Sequence, residues 1–316
     1  MPGYLATRLT SLLPILLGVS VLVFSMQALV PGDIVDIMMG GDQAFGDRTA
    51  EARLRRQLHL DRPVVERYVL WLGGLLRGDL GTSFVSGKPI MGEILRRLPV
   101  NLELASLAIA FAVLLGIPVG VMAALWRGTW ADATIRMGSV LGYSIPNFWV
   151  ATLTVLLGSL YLPRMPILRW VPLSRDPLQN LSLVVIPAFV LSLTILPLIV
   201  RMTRAAALEN LQLDYVRTAR AKGLTERRVV FRHVLANSLI AVLNVTGVQV
   251  GVLIGGLVLT EEIFILPGIG RFLLESIQKR DFPAITGTTL FLATAFVIVN
   301  LIVDFLHGLL DPRVRR

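Results

Sequence analysis

The residue types that most often carry catalysis are few and scattered in this chain of 316 residues. The three histidines, His59, His233 and His307, lie far apart, and neither H-E-x-x-H nor G-x-S-x-G occurs. Cysteine is absent, which excludes thiolate metal ligands and disulfides. The sequence therefore predicts no catalytic residue, no metal site and no cofactor bound by this chain.

One glycine turn, GTSFVSGKP at residues 81–89, comes close to a phosphate-binding loop. Such a loop has the spacing G-x-x-x-x-G-K followed by Ser or Thr, whose hydroxyl binds magnesium. Here Gly81 is one residue too early, and Pro89 follows Lys88. We interpret the segment as an ordinary turn and do not expect the chain to bind ATP through it.

The elements that must position any functional side chain are membrane helices. The chain is 54% apolar and only 16% charged, against about 25% charged residues in soluble domains. A helix needs roughly 20 apolar residues to cross a bilayer, and within lipid it satisfies its own backbone hydrogen bonds. Six segments meet this length, and the first is interpreted as an uncleaved helix. They are residues 9–30, 102–125, 137–160, 181–200, 238–259 and 284–305.

The distribution of Lys and Arg predicts the orientation. Most basic residues of the short loops fall at the two ends of the chain and in residues 201–237, which indicates that both termini are cytoplasmic. Residues 31–98 then form a long external segment. The net charge of +9 is explained by anionic lipid headgroups. Nucleic-acid binding is disfavoured, because the basic segment contains only Tyr215 and Phe231 as aromatic residues.

A basic stretch, DYVRTARAKGLTERRVVFRHVLANSL at residues 214–239, is predicted to form two helices joined by a turn. Gly223 suits the left-handed residue after a helix, Leu224 the hydrophobic contact that follows, and Thr225 the N-cap of the next helix. The second helix is expected at the membrane surface, with Val229, Val230 and Val234 on one face.

The small residues of this stretch, Thr218, Ala219, Ala221 and Gly223, leave one side of the first helix nearly bare. A bare helix side fits closely against another protein. The simpler alternative, a basic anchor on lipid headgroups, does not explain these small residues.

The stretch resembles the cytoplasmic loop of ABC importer permeases, whose motif reads E-A-A, three residues, then G. The similarity extends over the whole chain, to the B-type permeases of the dipeptide, oligopeptide and nickel group. Two departures are that Arg217 replaces the motif's glutamate and Ala236 its later proline. The matching segments are LVPGD (29–33), LRGDLGTSF (76–84), GIPVGV (116–121), SIPNFW (144–149), VRMTRAAALE (200–209), DYVRTARAKGL (214–224), TEEIFILPGIGR (260–271) and KRDFP (279–283).

The resemblance implies an all-α polytopic membrane protein with the type I ABC importer permease fold: a first helix (1–30), the external segment (31–98) and a five-helix core (99–316) containing the coupling loop (201–237). It implies a bacterial inner-membrane complex with a homologous second permease, two subunits that bind ATP and magnesium, and an external solute-binding protein. Short peptides are the expected cargo, with nickel complexes, glutathione and opines as alternatives. The implied ATPase-coupling residues are Arg217, Thr218, Ala219, Arg220, Ala221, Lys222, Gly223 and Leu224.

A secondary transporter driven by protons or sodium is the competing class. Such proteins usually place an ionisable group within the membrane. Glu103 and Asp304 are the only acids in the predicted membrane segments, and both lie near segment ends, where an acid is less costly. The energy source is therefore expected on other subunits.

Polar residues inside the predicted helices are candidates for the translocation path. Asn147 follows a break at Pro146, and Asn244 and Gln249 lie in the fifth segment. Hydrogen bonds between helices, each worth about 0.6 kcal/mol, are the alternative explanation.

The predicted last external loop, residues 260–283, is unusually apolar for a segment in water. We expect part of it to contact the solute-binding protein, as the resemblance also implies; packing between membrane helices is the alternative. The candidate contact residues are Glu261, Glu262, Ile265, Leu266, Pro267, Gly268 and Ile269.

Overall fold

The computed structural model describes residues 13–25, 61–161 and 170–310, and within these ranges the chain is helical and contains no β-strand. Predictions for the remaining residues, which include His59 and the beginning of the external segment, lie outside the described ranges. In chain order the helices are α1 Leu13–Ser25, α2 Val64–Leu75, α3 Ile90–Leu125, α4 Trp130–Ser144, α5 Asn147–Tyr161, α6 Pro177–Ser192, α7 Leu196–Leu211, α8 Asp214–Ala221, α9 Glu226–Val229, α10 Ala236–Ile263, α11 Ile269–Gln278 and α12 Phe282–Leu310, with a π-helical turn Val230–Leu235 before α10.

Two helices of the described ranges are individually long and apolar enough to cross a bilayer, α3 and the Phe282–Val303 part of α12. Two further spans result if each bent pair of shorter helices counts as one: α4 with α5, and α6 with α7. The helix α1 is apolar but shorter, and α10 has 28 residues. A membrane protein of helices is thus confirmed, whereas the number six stays a prediction.

The two bends show where proline chemistry breaks an apolar segment. The predicted helix 137–160 is divided into α4 and α5, which meet at 92°. Ile145 is extended (φ −80°, ψ 124°), because the residue before a proline avoids the helical region, and Pro146 follows it. The predicted helix 181–200 is divided into α6 and α7 at 55°, with Pro197 in the first turn of α7. Prolines within α3 and α6 cause no comparable break.

The first compact unit comprises residues 98–271 and the part of α12 from residue 296. Its core is packed from α3, α6, α7 and α10, with Leu104, Leu191 and Ile199 fully buried. Close contact is needed because lipid is as apolar as leucine, so packing holds the helices together. At Gly120 of α3, a Cβ atom would lie 2.6 Å from Cβ of Thr203 on α7.

The second compact unit comprises α1, α2, the turn after α2, the beginning of α3 and residues 272–295. Aromatic rings join α1 to α2: Phe24 lies 5.4 Å from both Tyr68 and Trp71, between ring centroids. Ser20 and Tyr68 also share a 2.8 Å hydrogen bond between their hydroxyls. These contacts fix the α1–α2 pair as one element of the unit.

Candidate functional site

Helix α8, the first helix of the basic stretch, packs one face on the chain's own core. Val216 and Ala219 are buried in a cluster with Ala124 of α3 and Ala207 of α7. The opposite face of α8 is exposed. The helix is therefore held to the core by one face and leaves the other face accessible. The exposed members of the predicted coupling set are Arg217, Thr218, Arg220, Ala221, Lys222 and Gly223.

The turn after α8 confirms the helix–turn–helix prediction. Gly223 adopts φ +74°, and Leu224 N–H donates to the carbonyl oxygen of Ala219 at 3.3 Å, closing the helix end. Leu224 packs against the buried cluster beneath α8. Thr225 occupies the N-cap position of α9, although its side chain makes no capping hydrogen bond.

An ion pair ties the two helices of this loop together. Arg220 donates to Glu226 through Nε at 3.1 Å and through Nη2 at 2.6 Å. The hydrogen bond from Arg220 lowers the pKa of the Glu226 carboxyl and in turn raises the pKa of the guanidinium. Both side chains are about half exposed, so this pair orients the loop more than it stabilises the fold.

The valines of the second helix contact the protein itself instead of lipid. Val229, Val230 and Val234 are all buried, whereas the prediction placed their shared face at the membrane surface. The physical reason is packing: Val229 and Val234, five residues apart across the π-helical turn, join the buried cluster that contains Val216 and Ala219 of α8.

A cavity of about 650 Å³ lies where the two bent helix pairs meet. Asn147, one of the predicted path residues, lines this cavity together with Ser139 and Thr194. Asn147 Oδ1 and Thr194 Oγ1 are buried and have no hydrogen-bond partner within the described part of the chain. The remaining lining residues are Val119, Ile135, Gly138, Gly142, Tyr143, Ile145, Pro146, Val150, Leu193, Leu196, Pro197 and Val200.

The other two predicted path residues belong to α10, and Gln249 does not line this cavity. Gln249 is half-buried, and the side chain of Asn244 is outside the described residues. Nearby on the same helix, the Thr246 hydroxyl donates to the carbonyl oxygen of Val242 at 2.8 Å. The structure therefore does not bring Gln249 and Asn147 together.

The loop after α10 is built around a buried carboxylate. Glu261 is fully buried; its Oε1 accepts from Asn101 Nδ2 at 2.7 Å, and its Oε2 accepts from the Arg271 N–H at 2.9 Å. Asn101 Oδ1 in turn accepts from the Ile269 N–H at 2.9 Å. Gly268 packs so closely that a Cβ atom there would lie 2.1 Å from Glu261 Cδ. Glu261 is thus an internal support of the loop.

The remaining predicted contact residues of this loop divide by exposure. Leu266, Gly268 and Ile269 are buried, whereas Glu262, Ile265 and Pro267 are exposed. Ile265 also has φ +55°, a region that a β-branched residue rarely adopts. Only the exposed three, at the tip, have side chains that are accessible from outside the chain.

Residues 81–89, the segment that comes close to a phosphate-binding loop, form a turn, as predicted. This turn surrounds a carboxylate of the same chain. Asp281 accepts from the Ser83 hydroxyl at 2.5 Å and from the Phe84 N–H at 3.1 Å. The Val85 N–H approaches the same carboxylate at 3.4 Å. Two of the family-like segments, LRGDLGTSF and KRDFP, therefore meet through Asp281. Sequence reasoning missed this pair, since an isolated Asp in a loop gives no signal of its partner.

A buried ion pair that sequence reasoning also missed joins α4 to α7. Arg204 donates to Asp132 through Nε at 2.7 Å and Nη2 at 2.9 Å, and the Asp132 side chain is only 2% exposed. Arg136, one turn further along α4, approaches the same carboxylate at 3.4 Å. The sequence feature that could have indicated this ion pair is the charged residue Arg204, which lies among small and apolar residues of α7.

Broken apolar helices, a polar-edged cavity at the breaks and a docked basic loop together define a multi-pass membrane transport protein. Comparison with known families identifies which one. The model of the binding-protein-dependent transport system inner membrane component matches residues 116–316, and the model of its N-terminal membrane component matches residues 1–105. The chain belongs to this family of inner-membrane permeases.

Relatives of similar length match the chain over nearly its whole extent. A putative peptide transport system permease protein of Brucella abortus (strain 2308) is 42% identical over 315 residues, covering 100% of this chain and 99% of the relative. A di/tripeptide transport system permease protein DppB of Pseudomonas aeruginosa (strain UCBPP-PA14) is 41% identical over 335 residues, covering 100% and 99%. The dipeptide transport system permease protein DppB of Escherichia coli (strain K12) is 38% identical over 335 residues, covering 99% and 98%.

Proposed function

We propose that this chain is the transmembrane subunit of an ATP-driven importer that moves short peptides inward. The observation that carries the proposal is the full-length similarity to permeases named for peptide and dipeptide transport, at 38% to 42% identity. Similarity over the entire chain includes the segments that line the cavity and form the loops, which is where cargo and partners act.

The proposed complex contains a homologous second permease, two ATP-binding subunits and an extracytoplasmic solute-binding protein. ATP and magnesium bind to the ATP-binding subunits. The structure supports this division of labour, because the one segment that resembles a phosphate-binding loop has its backbone N–H groups directed at Asp281. A second anion would have to displace that carboxylate.

The proposed orientation has both termini in the cytoplasm and residues 31–98 outside. It rests on the concentration of Lys and Arg in residues 201–237, since basic residues near membrane helices remain cytoplasmic. Six spans follow if α1, α3, α10 and α12 each cross the membrane and each bent pair crosses once. The loop formed by α8 and α9 then lies in the cytoplasm, and the tip after α10 lies outside.

The exposed face of α8 is the proposed contact with an ATP-binding subunit. The small side chains of Thr218 and Ala221 leave this face flat, so a neighbouring protein can approach closely. Arg217 and Lys222 give the face positive charge. Its buried face rests on Ala207 of α7 and on α3, so force applied to α8 is transmitted into the membrane helices. The loop is therefore suited to couple ATP binding to helix movement.

The cavity between the bent helix pairs is the proposed part of the translocation path that this subunit contributes. Interrupted helices at membrane depth supply free backbone groups that a continuous helix lacks. Asn147 Oδ1 and Thr194 Oγ1 add acceptors for the N–H groups of a peptide. Asn244 and Gln249 extend the proposed path along α10.

Reconstitution of the complete transporter in liposomes tests this function. With binding protein outside and ATP inside, we expect uptake of radiolabelled dialanine that stops when ATP is omitted. Uptake of a nickel complex, glutathione or an opine without dialanine uptake would assign a different cargo to the same machinery. Dialanine uptake driven by a proton or sodium gradient without ATP would contradict the proposal.

A further inference from the structure

A cavity of about 430 Å³ lies entirely within the second compact unit. One wall is helix α2, another is the turn at residues 79–84, and a third is the first turn of α12. Three aromatic rings border the cavity, those of Phe24, Trp71 and Phe84. A volume of this size is within the range of small-ligand sites in proteins, about 300 to 1,000 Å³.

Two opposite charges line this cavity without pairing with each other. The Arg67 guanidinium is half-buried and makes no hydrogen bond or ion pair with any residue that the structure describes. Asp79 is exposed, and within the same described ranges its carboxylate accepts only from the Gly81 N–H, at 2.8 Å. Both charged groups are therefore available to a ligand that enters the cavity.

The turn that carries Asp79 is tied at both ends. The Asp79 N–H donates to the Gly74 carbonyl oxygen at 3.0 Å, which fixes the turn against the end of α2. Asp281, immediately before α12, binds the Ser83 hydroxyl and so fixes the other end of the turn. The position of Asp79 at the edge of the cavity is therefore set by the fold.

We propose that this cavity binds a small zwitterion, with its anionic group on Arg67 and its ammonium group on Asp79. A guanidinium binds a carboxylate or phosphate in a fork of two parallel hydrogen bonds, and aromatic faces attract an ammonium group. A short peptide has this pattern of charge, and so does a phosphatidylethanolamine headgroup. The peptide source rests on the proposed function, and it makes the cavity a binding site for cargo within the second compact unit.

Photolabelling of the complete transporter tests the site. The transporter is placed in phosphatidylcholine nanodiscs and irradiated with photoleucyl-alanine, and the labelled residues are mapped by mass spectrometry. We expect labels on the segments that line the cavity. Dialanine should compete with labelling, whereas N-acetyl-dialanine, which lacks the ammonium group, and dialanine amide, which lacks the carboxylate, should compete about tenfold less well.

Three variants link the labelling to the two charges. Arg67→Gln should reduce labelling about tenfold and should remove the difference between dialanine and its amide as competitors. Asp79→Asn keeps an acceptor for the Gly81 N–H and should remove the difference between dialanine and its N-acetyl form. Arg77→Gln removes the same charge from a nearby exposed position that does not line the cavity, and should label like the native chain.

A second experiment, with lipid, distinguishes a bound peptide from a bound phosphatidylethanolamine headgroup. Native mass spectrometry of transporter in nanodiscs of mixed phosphatidylethanolamine and phosphatidylcholine should show retained phosphatidylethanolamine, lost in Arg67→Gln, if the headgroup is the occupant. Charge-dependent labelling by the peptide supports the peptide source. A complex that shows neither result overturns the zwitterion site. Dialanine uptake by the same preparation is measured separately, so failure of the site is distinguishable from failure of the proposed function.

Discussion

Gly223 is the residue at which the conformation of the coupling loop is decided. Its φ of +74° lies in the left-handed region, and no atom of the chain lies within 4 Å of where a Cβ would be. A β-branched residue there costs about 1 to 2 kcal/mol of backbone strain but meets no clash within the subunit. A functional effect larger than this strain explains would therefore indicate a partner that approaches Gly223.

We predict that Gly223→Val abolishes peptide uptake while the subunit still inserts and assembles with the second permease. The new side chain projects into the space that the ATP-binding subunit would occupy. The measurement is dialanine uptake alongside ATP hydrolysis in liposomes, which should be lost or uncoupled from each other. Gly78→Val is the control, because Gly78 has φ +80° with equally open space in the turn after α2. Equal loss in both variants would mean that strain alone is responsible.

The Arg220 and Glu226 pair gives the same loop a dependence on pH. Since the folded pKa of Glu226 is lowered, the pair stabilises the loop above the unfolded pKa of that carboxyl and ceases to do so as the pH falls through the folded value. The pair is half exposed, so its contribution is below about 1 kcal/mol.

We predict that acidification loosens the loop selectively. Hydrogen exchange of residues 217–226, corrected for the intrinsic effect of pH, should accelerate as the pH falls through the pKa of Glu226. In Glu226→Gln the exchange should already be faster at neutral pH and should show no such step. A step of equal size in the Gln variant would assign the effect to another group.

At the scale of elements, the central connection is the pair α4 and α7. The ion pair between Asp132 and Arg204 joins these helices, and Gly142 of α4 lies against Pro197 of α7, where an added Cβ would be 3.2 Å from Cγ. Helix α7 also carries Ala207, on which α8 packs. A movement of α8 therefore has a continuous path to the helix ends that line the cavity.

We predict that Arg204→Ala destabilises the subunit, because it leaves the Asp132 carboxylate, whose side chain is only 2% exposed, without its main partner. The measurement is thermal unfolding of the purified transporter. Arg136→Ala is the matched control, since Arg136 is 57% exposed and contacts the same carboxylate, and it should cost less than about 1 kcal/mol. Exchange of the charges, Asp132→Arg with Arg204→Asp, should recover part of the loss. Equal effects of the two single variants would refute a special role for Arg204.

The loop after α10 is a second element with separable roles. Glu261 and Asn101 hold it from within, while Ile265 is exposed at a strained φ of +55°. Strain of this kind persists only where surrounding contacts enforce it, and it is often found at functional positions. We propose that the exposed tip, Glu262, Ile265 and Pro267, contacts the solute-binding protein.

We predict that a photoreactive residue at Ile265 or Pro267 crosslinks to the binding protein when the ATP-binding subunits are trapped with ATP. The same residue at Leu266, which is buried, should crosslink within the permease instead. Adducts are identified by mass spectrometry. Crosslinks from Ile265 to membrane helices alone would leave the loop with a packing role only.

At the scale of the whole molecule, charge distribution decides how the chain sits in the bilayer. The segment 201–237 is strongly basic, whereas residues 31–98 carry bases and acids in similar numbers. Ser86 and Thr225 are exposed representatives of these two regions, and the chain contains no cysteine. Single cysteines at these positions therefore report the orientation of the chain in the membrane, and no native cysteine has to be replaced first.

We predict that Ser86→Cys reacts with a membrane-impermeant maleimide in intact cells and that Thr225→Cys reacts only after the membrane is permeabilised. Labelling is read as a mass shift of the purified subunit. Uptake activity of both variants serves as the control for correct assembly. The reverse pattern would invert the proposed orientation, including the assignment of α8 to the cytoplasm.

The sequence by itself determined the features that depend on composition and local chemistry. Apolar runs predicted the helices because lipid requires internally satisfied backbones, and Gly223 predicted the turn because few other residues adopt its conformation. The eight family-like segments, which occur in order along the chain, indicated the family, and the comparisons confirmed it. Pro146 indicated a break, though its 92° angle did not follow from the sequence.

Only the tertiary structure decided which distant residues meet. Asp281 enters the turn at Ser83, Asp132 pairs with Arg204, and Glu261 bonds to Asn101, across separations of 198, 72 and 160 residues. The local sequence does not predict such pairs, because the residues around each acid look like those of an ordinary loop or helix end. The burial of Val229 and Val234 was hidden for a related reason: an amphipathic face shows that a helix lies at a boundary, and only packing decides whether lipid or protein is on the other side.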